Sequence, residues 1–417
     1  MKTTLFSLLI FSSIALTQCQ SIAAPEGRPQ DLLLQYWQAE SPEEITRTSN
    51  ALAQASPDIN TLYQWLKTGP EFPNDVAVGL MRLTRIAPDG TEFPYALRVP
   101  ENYDPNKAYP VEFNLHGGVS RPKIAENESP WSERYESLSP ADTIIVVPVG
   151  WSDAFWWYDN QADNLSAILR SLKQHYNVND NKVIMTGVSD GGTGAYFFAF
   201  LQPTEWAAFV PFIGHPGVLS NPRAGVSHPI DFSNLKGKPL YIVNGENDRL
   251  YPARAILPYI SEMEEANADV QFTIIPNGGH NLDWMPEHRA KIDRFKESTV
   301  RDPLPDSVRW TAAFTNRYNR NHWLIIDQLR SEGQPGRLTV DRVGNEFDIN
   351  SLYVNRFTLL LSPEEVDFSK PVVVRVNSEV VFDGMVDQSA ETLLKWASKD
   401  RDRSMLFTAE LALKTTK

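Results

Sequence analysis

Ser189 stands in Gly187-Val188-Ser189-Asp190-Gly191-Gly192, between an apolar β-branched run, "KVIMT", and a stretch of small and aromatic residues, "TGAYFFAF". A serine hydroxyl can act as a nucleophile when a base takes its proton and an acid orients the base. The Gly-x-Ser-x-Gly triplet alone is weak: at ~7% glycine and similar serine usage, roughly one chain in seven of this length matches by chance. Its context is stronger, because a nucleophile elbow needs a strand before it, a helix after it and no bulky neighbours around a strained serine. The helix start then brings amide N–H groups and a positive dipole end to the hydroxyl. A plain strand-to-helix loop is the competing reading, so the base and the acid decide.

Only seven histidines are present, which makes elimination effective. In the order serine, acid, histidine, the base follows Ser189, leaving His215, His228, His280, His288 and His322,. "PLYIVNG" reads as a strand ending at Gly245 and leads into Glu246-Asn247-Asp248. "VQFTIIPN" reads as another and leads into Gly278-Gly279-His280. Both sets lie just past the carboxyl ends of strands, the edge where open α/β sheets bind ligands. His288 falls in the helical "PEHRAKIDRF", and His322 in a β-rich tail. His280 is the expected base and Asp248 the expected acid, with Glu246 as its competitor.

His116-Gly117-Gly118 follows the apolar "PVEFNL", where flexible backbone could aim amides at a developing oxyanion,. The Asp190 N–H is one expected donor; Gly118 is the other, with Val119 as the alternative. Trp151, Phe155, Trp156, Trp157 and Tyr158 crowd the segment after "TIIVVPVG". Some must be core, but so many in one loop suggest that at least two face a substrate, with Trp151, Trp156 and Trp157 as candidates. His116 and His215, the latter in "FIGHPG", are further substrate-binding candidates, although a structural histidine is the commoner case,. No metal site is expected, since paired histidines at helical spacing and Asp-rich loops are missing. No cofactor is expected either, because "GVSDGGTG" lacks the Lys-Ser/Thr of a phosphate loop,.

The elements around these residues fall into four regions. Met1-Lys2, an apolar run from Leu5 to Leu16 and Ser21-Ile22-Ala23 form a secretory leader over 1–23, which points to a secreted or periplasmic protein,. Leu16-Thr17-Gln18-Cys19 resembles a lipoprotein box, but Gln18 occupies a position that calls for a small residue,. Cys19 is the only cysteine, so disulfides are not expected,. Residues 24–75 read as a helical extension. Residues 76–302 begin with a hairpin around Pro88-Asp89-Gly90 and then alternate apolar runs with helical stretches, the pattern of a parallel sheet covered on both faces,. Residues 303–417 alternate at period two and read as a β-rich accessory domain, with enough strands for a sandwich of its own. On that reading a chain ending near Pro303 stays soluble. The net charge of −13 argues against nucleic acid, and no other apolar run is long enough for a membrane span,.

Together "YALRVPENYDPNKAYPVEFNLHGG", "GVSDGGTGAY", "NGENDRLYP" and "GGHNLDW" resemble the α/β-hydrolase superfamily, in the branch of secreted esterases related to polyhydroxybutyrate depolymerases, feruloyl esterases and esterase D. The resemblance runs from about Gly79 to Phe295 and implies Ser189, Asp248 and His280 as a triad. Val119 departs from it, standing where many relatives carry a third glycine or a bulkier residue. The expected activity is that of a serine carboxylesterase on a small or polysaccharide-linked ester, with feruloyl, acetyl-carbohydrate or polyester substrates favoured. A serine peptidase of the same fold is the alternative, and a carbohydrate- or partner-binding protein with an inert core is the third reading.

Overall fold

The computed structural model describes residues 27–123, 141–225 and 227–415. The expected leader over 1–23, with Cys19 and its partial likeness to a lipoprotein box, lies outside these residues. Three helices open the described chain: α1 (Pro29–Gln38), α2 (Pro42–Ala55) and α3 (Ile59–Thr68). Ser41 and Glu44 form a reciprocal capping box on α2, and Asp58 caps α3 through the Thr61 N–H,.

An eight-stranded sheet follows, built from β1 (Gly79–Ile86), β2 (Glu92–Val99), β3 (Tyr109–Leu115), β4 (Ile144–Pro148), β5 (Val178–Val188), β6 (Ala208–Phe212), β7 (Leu240–Gly245) and β8 (Val270–Ile275). Its order is β1-β2-β4-β3-β5-β6-β7-β8. The strand β2 is antiparallel to both neighbours, and from β4 onward every pairing is parallel. Strands β3, β4, β6 and β7 are buried almost throughout, as expected when helices cover both faces,. The covering helices are α4 (Asp159–His175), α5 (Asp190–Leu201), α6 (Ala253–Glu265) and α7 (Met285–Ser298). The helix α5 lies at the centre, with every residue from Gly191 to Leu201 buried.

The tail forms a two-sheet sandwich. One sheet holds β10 (Arg320–Asn321), β11 (Leu324–Leu329), β14 (Val354–Leu361) and β17 (Ala409–Lys414). The other runs β16 (Glu379–Gly384), β15 (Val372–Val376), β13 (Glu346–Leu352), β12 (Gly336–Val343) and β9 (Ser307–Ala312). Trp310, Leu338, Phe347, Phe357 and Val374 are among the residues of their shared core. The helix α8 (Ala390–Asp400) completes the tail.

One packing relationship differs from the sequence expectation. The amino-terminal helices reach the central sheet layer through Trp37, whose indole N–H donates to the Lys173 carbonyl at 2.7 Å. Most of their apolar face, including Leu33, Leu52, Leu62 and Leu66, instead meets Leu393, Leu394 and Ala397 of α8. Removing the tail would therefore uncover this face as well, so a soluble chain ending near Pro303 is no longer the expectation.

The seam between sheet layer and tail is charged. Arg301 pairs with Asp402 at 2.7 Å, and Lys173 pairs with Asp180 at 3.0 Å, all four buried. Buried Lys238 lies 3.2 Å from His322 Nδ1 across the same seam. Burial, reinforced by Arg301 and opposed by Asp302, pushes the Lys238 pKa down to about 7. In the folded protein Lys238 is thus neutral above about pH 7, whereas the unfolded chain keeps it protonated up to its ordinary 10.5. Across that window the unfolded state binds the extra proton, so this residue makes stability rise with pH by about 1.4 kcal/mol per unit. Lys238→Met is expected to flatten the slope, with the wild-type deficit greatest near pH 7 and shrinking toward pH 10. Urea unfolding midpoints across that range check this; parallel profiles for the two proteins would rule it out.

Candidate active site

Ser189 joins β5 to α5 at φ 57° and ψ −117°, a left-handed backbone that a non-glycine residue adopts only under constraint,. The glycines around it are sterically required. A Cβ on Gly187 would fall 1.9 Å from the Gly191 carbonyl oxygen, and one on Gly191 would fall 2.0 Å from that of Leu115. The turn is pinned by the Ser189 N–H, which donates to the Phe212 carbonyl of β6 at 2.9 Å.

Three side chains distant in sequence converge at this turn. Ser189 Oγ lies 2.8 Å from His280 Nε2, and His280 Nδ1 lies 2.7 Å from Asp248 Oδ2. Asp248 is buried, and its other oxygen accepts from the N–H groups of Leu250 and Tyr251 at 2.8 and 2.9 Å. These bonds fix the carboxylate against rotation. Glu246 points elsewhere, accepting from the Asn277 N–H at 2.9 Å and so tethering the loop that carries His280. Among the other candidate histidines, His228 bonds the Trp157 carbonyl, His288 lies edge-on to Trp284 and His322 sits in the charged seam.

The loop after β3 supplies the other side of the site. Gly118 has φ +71°, and a Cβ on Gly117 would fall 2.8 Å from that of Ser189. The Val119 N–H donates to Asp190 Oδ2 at 2.9 Å, which corrects its reading as an alternative oxyanion donor: the hydrogen is already engaged by a carboxylate. The Asp190 amide itself opens α5, a position with no intrahelical acceptor,. His116 is also reassigned. It is buried, its Nε2 accepts from the Gly150 N–H at 3.0 Å, and its Nδ1 lies 2.8 Å from the Gly117 carbonyl. Burial lowers its pKa, so the ring is neutral and braces the loop instead of meeting substrate.

The aromatic candidates separate. Trp156 is fully buried, donating its indole N–H to the His116 carbonyl at 2.8 Å, and Trp151 packs on Phe93. Both are corrected to packing roles, because the loop after β4 folds back onto the sheet. Trp157 is also largely buried but borders a cleft against the tail. His215 is brought towards the site: its ring lies 5.5 Å from that of Tyr251, which lies 5.8 Å from His280. Burial, then Asp190 and Asp248, push the Tyr251 phenol up to about 12, so it stays a neutral donor. Tyr251 and Arg121, whose guanidinium lies over Gly118, are site neighbours that the sequence reading missed. Tyr251 follows Asp248 by three residues, a spacing at which an Asp side chain often caps backbone N–H groups.

The bond between Asp190 and Val119 ties the start of α5 to the glycine loop. Asp190→Ala is expected to lower kcat for p-nitrophenyl acetate by up to about 100-fold through misplacement of that loop. KM should change little, and Asp190→Asn, which can still accept from Val119, should recover most of the rate. Wild-type kcat in Asp190→Ala would remove this role.

A profile of the dienelactone hydrolase family matches residues 152–292. That match falls on the part of the sheet that carries Ser189, Asp248 and His280, within the strand order 1-2-4-3-5-6-7-8 with an antiparallel second strand.

The central region has the α/β-hydrolase fold.

The hydrolase region is similar to a probable feruloyl esterase C of Aspergillus flavus, 29% identical over 148 residues that cover 34% of this chain and 53% of that protein. It is also similar to a bifunctional acetylxylan esterase/xylanase of Neocallimastix patriciarum, 29% identical over 154 residues, 36% of this chain and 20% of that protein. The chain thus spans about half the length of the feruloyl esterase relatives it matches. Among solved structures, a thermostable esterase is 21% identical with a TM-score of 0.42, covering 53% of this chain and 63% of its own. No helix among the described residues is long and apolar enough to cross a membrane.

Proposed function

We propose that this chain hydrolyses carboxylic esters through an acyl-enzyme on Ser189. The reading is carried by one observation, the hydrogen-bonded line from Ser189 Oγ through His280 to Asp248, at 2.8 and 2.7 Å. Ser189 Oγ attacks the ester carbonyl while His280 Nε2 takes its proton, and the carbonyl π electrons move onto oxygen. The N–H groups of Asp190 and Gly118 stabilise that oxyanion. Collapse breaks the bond to the alcohol, which leaves with the proton from His280. Water then attacks the acyl-enzyme with His280 as base, releasing the carboxylic acid and restoring Ser189. Asp248 holds the imidazole with its proton on Nδ1 and stabilises the imidazolium.

The substrate class follows from the relatives, whose names specify feruloyl esters and acetylxylan. An aromatic or acetyl ester on a plant-type polysaccharide is the favoured substrate, encountered outside the cytoplasm after export on the 1–23 leader. The tail serves as an accessory domain that supports this task. Methyl ferulate and p-nitrophenyl acetate test the reading, with mass spectrometry after phenylmethylsulfonyl fluoride locating the adduct. Turnover and a modified Ser189 are expected. Absence of both would overturn the proposal, and cleavage of dipeptide amides in preference to esters would replace it with a peptidase.

A further inference from the structure

A cleft of about 880 Å³ lies where the tail meets the central sheet layer, and Ser189, Asp248 and His280 are not among its lining residues. One wall is formed by Trp157, Tyr158 and Asn160, and the other by Phe314, Asn316 and Tyr318 from the loop between β9 and β10. Its volume lies towards the upper end of the range for ligand sites, about 300–1,000 Å³.

The two walls are fastened to each other. The Tyr318 hydroxyl donates to Asp159 at 2.7 Å, and Arg317 reaches Asp159 at 3.2 Å and Asp163 at 2.9 Å. Tyr318 holds φ 53°, with its ring edge-on to Phe197 at 5.6 Å. A strained residue held by ring contacts and a charged acceptor makes the cleft a fixed feature instead of a loose seam.

Arg317 brings one positive charge against the two carboxylates of Asp159 and Asp163, so a net negative charge stays beside the aromatic rings, carboxamides and His228 of the walls and disfavours an anionic ligand. Phe314 remains 46% exposed in the cleft wall, a large apolar group that no protein contact has covered. Aromatic faces beside Asn side chains match a ligand with apolar C–H faces and hydroxyl edges, uncharged and extended. That is the surface of a neutral oligosaccharide.

Position links the cleft to the chemistry. Trp157 and Asn160 follow the carboxyl end of β4, on the sheet edge that also carries Ser189, Asp248 and His280. Trp156, one residue earlier, braces the glycine loop through His116. Phe197, which touches Tyr318, lies eight residues along α5 from Ser189, roughly 12 Å of helix rise,.

We propose that this cleft is a glycan-binding site that holds the neutral carbohydrate part of an esterified polysaccharide while its ester reaches Ser189. The second half of that statement rests on the ester-hydrolase reading above; the binding site does not. Phe314→Ala and Asn316→Ala test it separately, since both side chains are exposed and neither fastens the walls. With feruloylated arabinoxylo-oligosaccharide as substrate, each variant is expected to raise KM by about tenfold at unchanged kcat. With methyl ferulate, both should match the wild type. Titration calorimetry of Ser189→Ala protein with xylotetraose, cellotetraose and mannotetraose reads binding without catalysis. At least one tetraose is expected to bind, and to bind more weakly once Phe314→Ala is added. Unchanged KM in both variants together with no heat from any tetraose overturns the proposal even if methyl ferulate is hydrolysed. Tetraose binding sensitive to Phe314 in a protein that hydrolyses no ester would keep the site and reject the ester-hydrolase reading alone.

Discussion

Ser189→Ala is expected to reduce turnover of p-nitrophenyl acetate by about 10⁶-fold, the size of loss that follows removal of a triad serine. The reason is stoichiometric: in the proposed mechanism Ser189 Oγ makes the bond to the acyl group, and alanine offers no atom to make it. What remains is water activated by His280 beside an intact oxyanion site, which still exceeds the uncatalysed rate. The fold should be unaffected, because alanine pays the same steric cost as serine at φ 57°. The elbow itself is held by backbone bonds from Ser189 N–H to Phe212 and from Thr193 N–H to the Ser189 carbonyl. Stopped-flow and long-time assays on purified protein, with circular dichroism as the fold control, check this. Activity within tenfold of wild type would mean that another group performs the attack.

Asp248→Asn should cost about 10⁴-fold in kcat, with the structure preserved. Asp248 Oδ1 accepts from two backbone N–H groups, and the carboxamide oxygen of Asn can continue to do so. Its NH₂ then faces His280 Nδ1, where a carboxylate oxygen had accepted a hydrogen. The ring must present a lone pair to that donor, which moves its proton to Nε2. A protonated Nε2 cannot take the proton of Ser189. Glu246→Gln makes the informative contrast: its carboxamide oxygen can still accept from the Asn277 N–H, so a loss of less than about tenfold is expected, ordinary for a loop tether,. If Glu246→Gln were the damaging change and Asp248→Asn the mild one, the acid would be misassigned.

The fold was legible in the sequence to different depths. Apolar strands such as "TIIVVPVG" announce themselves because a strand buried on both faces can tolerate few polar residues, and β4 is buried at every position,. The strand β13, "EFDINSL", escaped the sequence reading. It buries only Phe347 and Ile349, and its exposed Glu346, Asp348 and Asn350 have weak strand preference,. Its conformation is imposed by pairing with β12 on one side and β15 on the other. Likewise "MLFTAELAL" reads as one strand, whereas only Ala409–Lys414 pairs; Met405, Leu406 and Phe407 are buried as packing instead.

That Ser189, Asp248 and His280 would meet was legible in the sequence because short-range rules place them. A serine between glycines must sit at a tight turn, and polar residues just past strand ends must gather at one sheet edge. The burial of Trp156, the engagement of His116 by Gly150 and the bond between Val119 and Asp190 obey no such local rule. The same is true of the cleft fastened by Tyr318 and Asp159. Each depends on which distant segment packs against which. An aromatic or histidine side chain has the same local signature whether it fills a core or borders a ligand site, so only the tertiary structure decided between them.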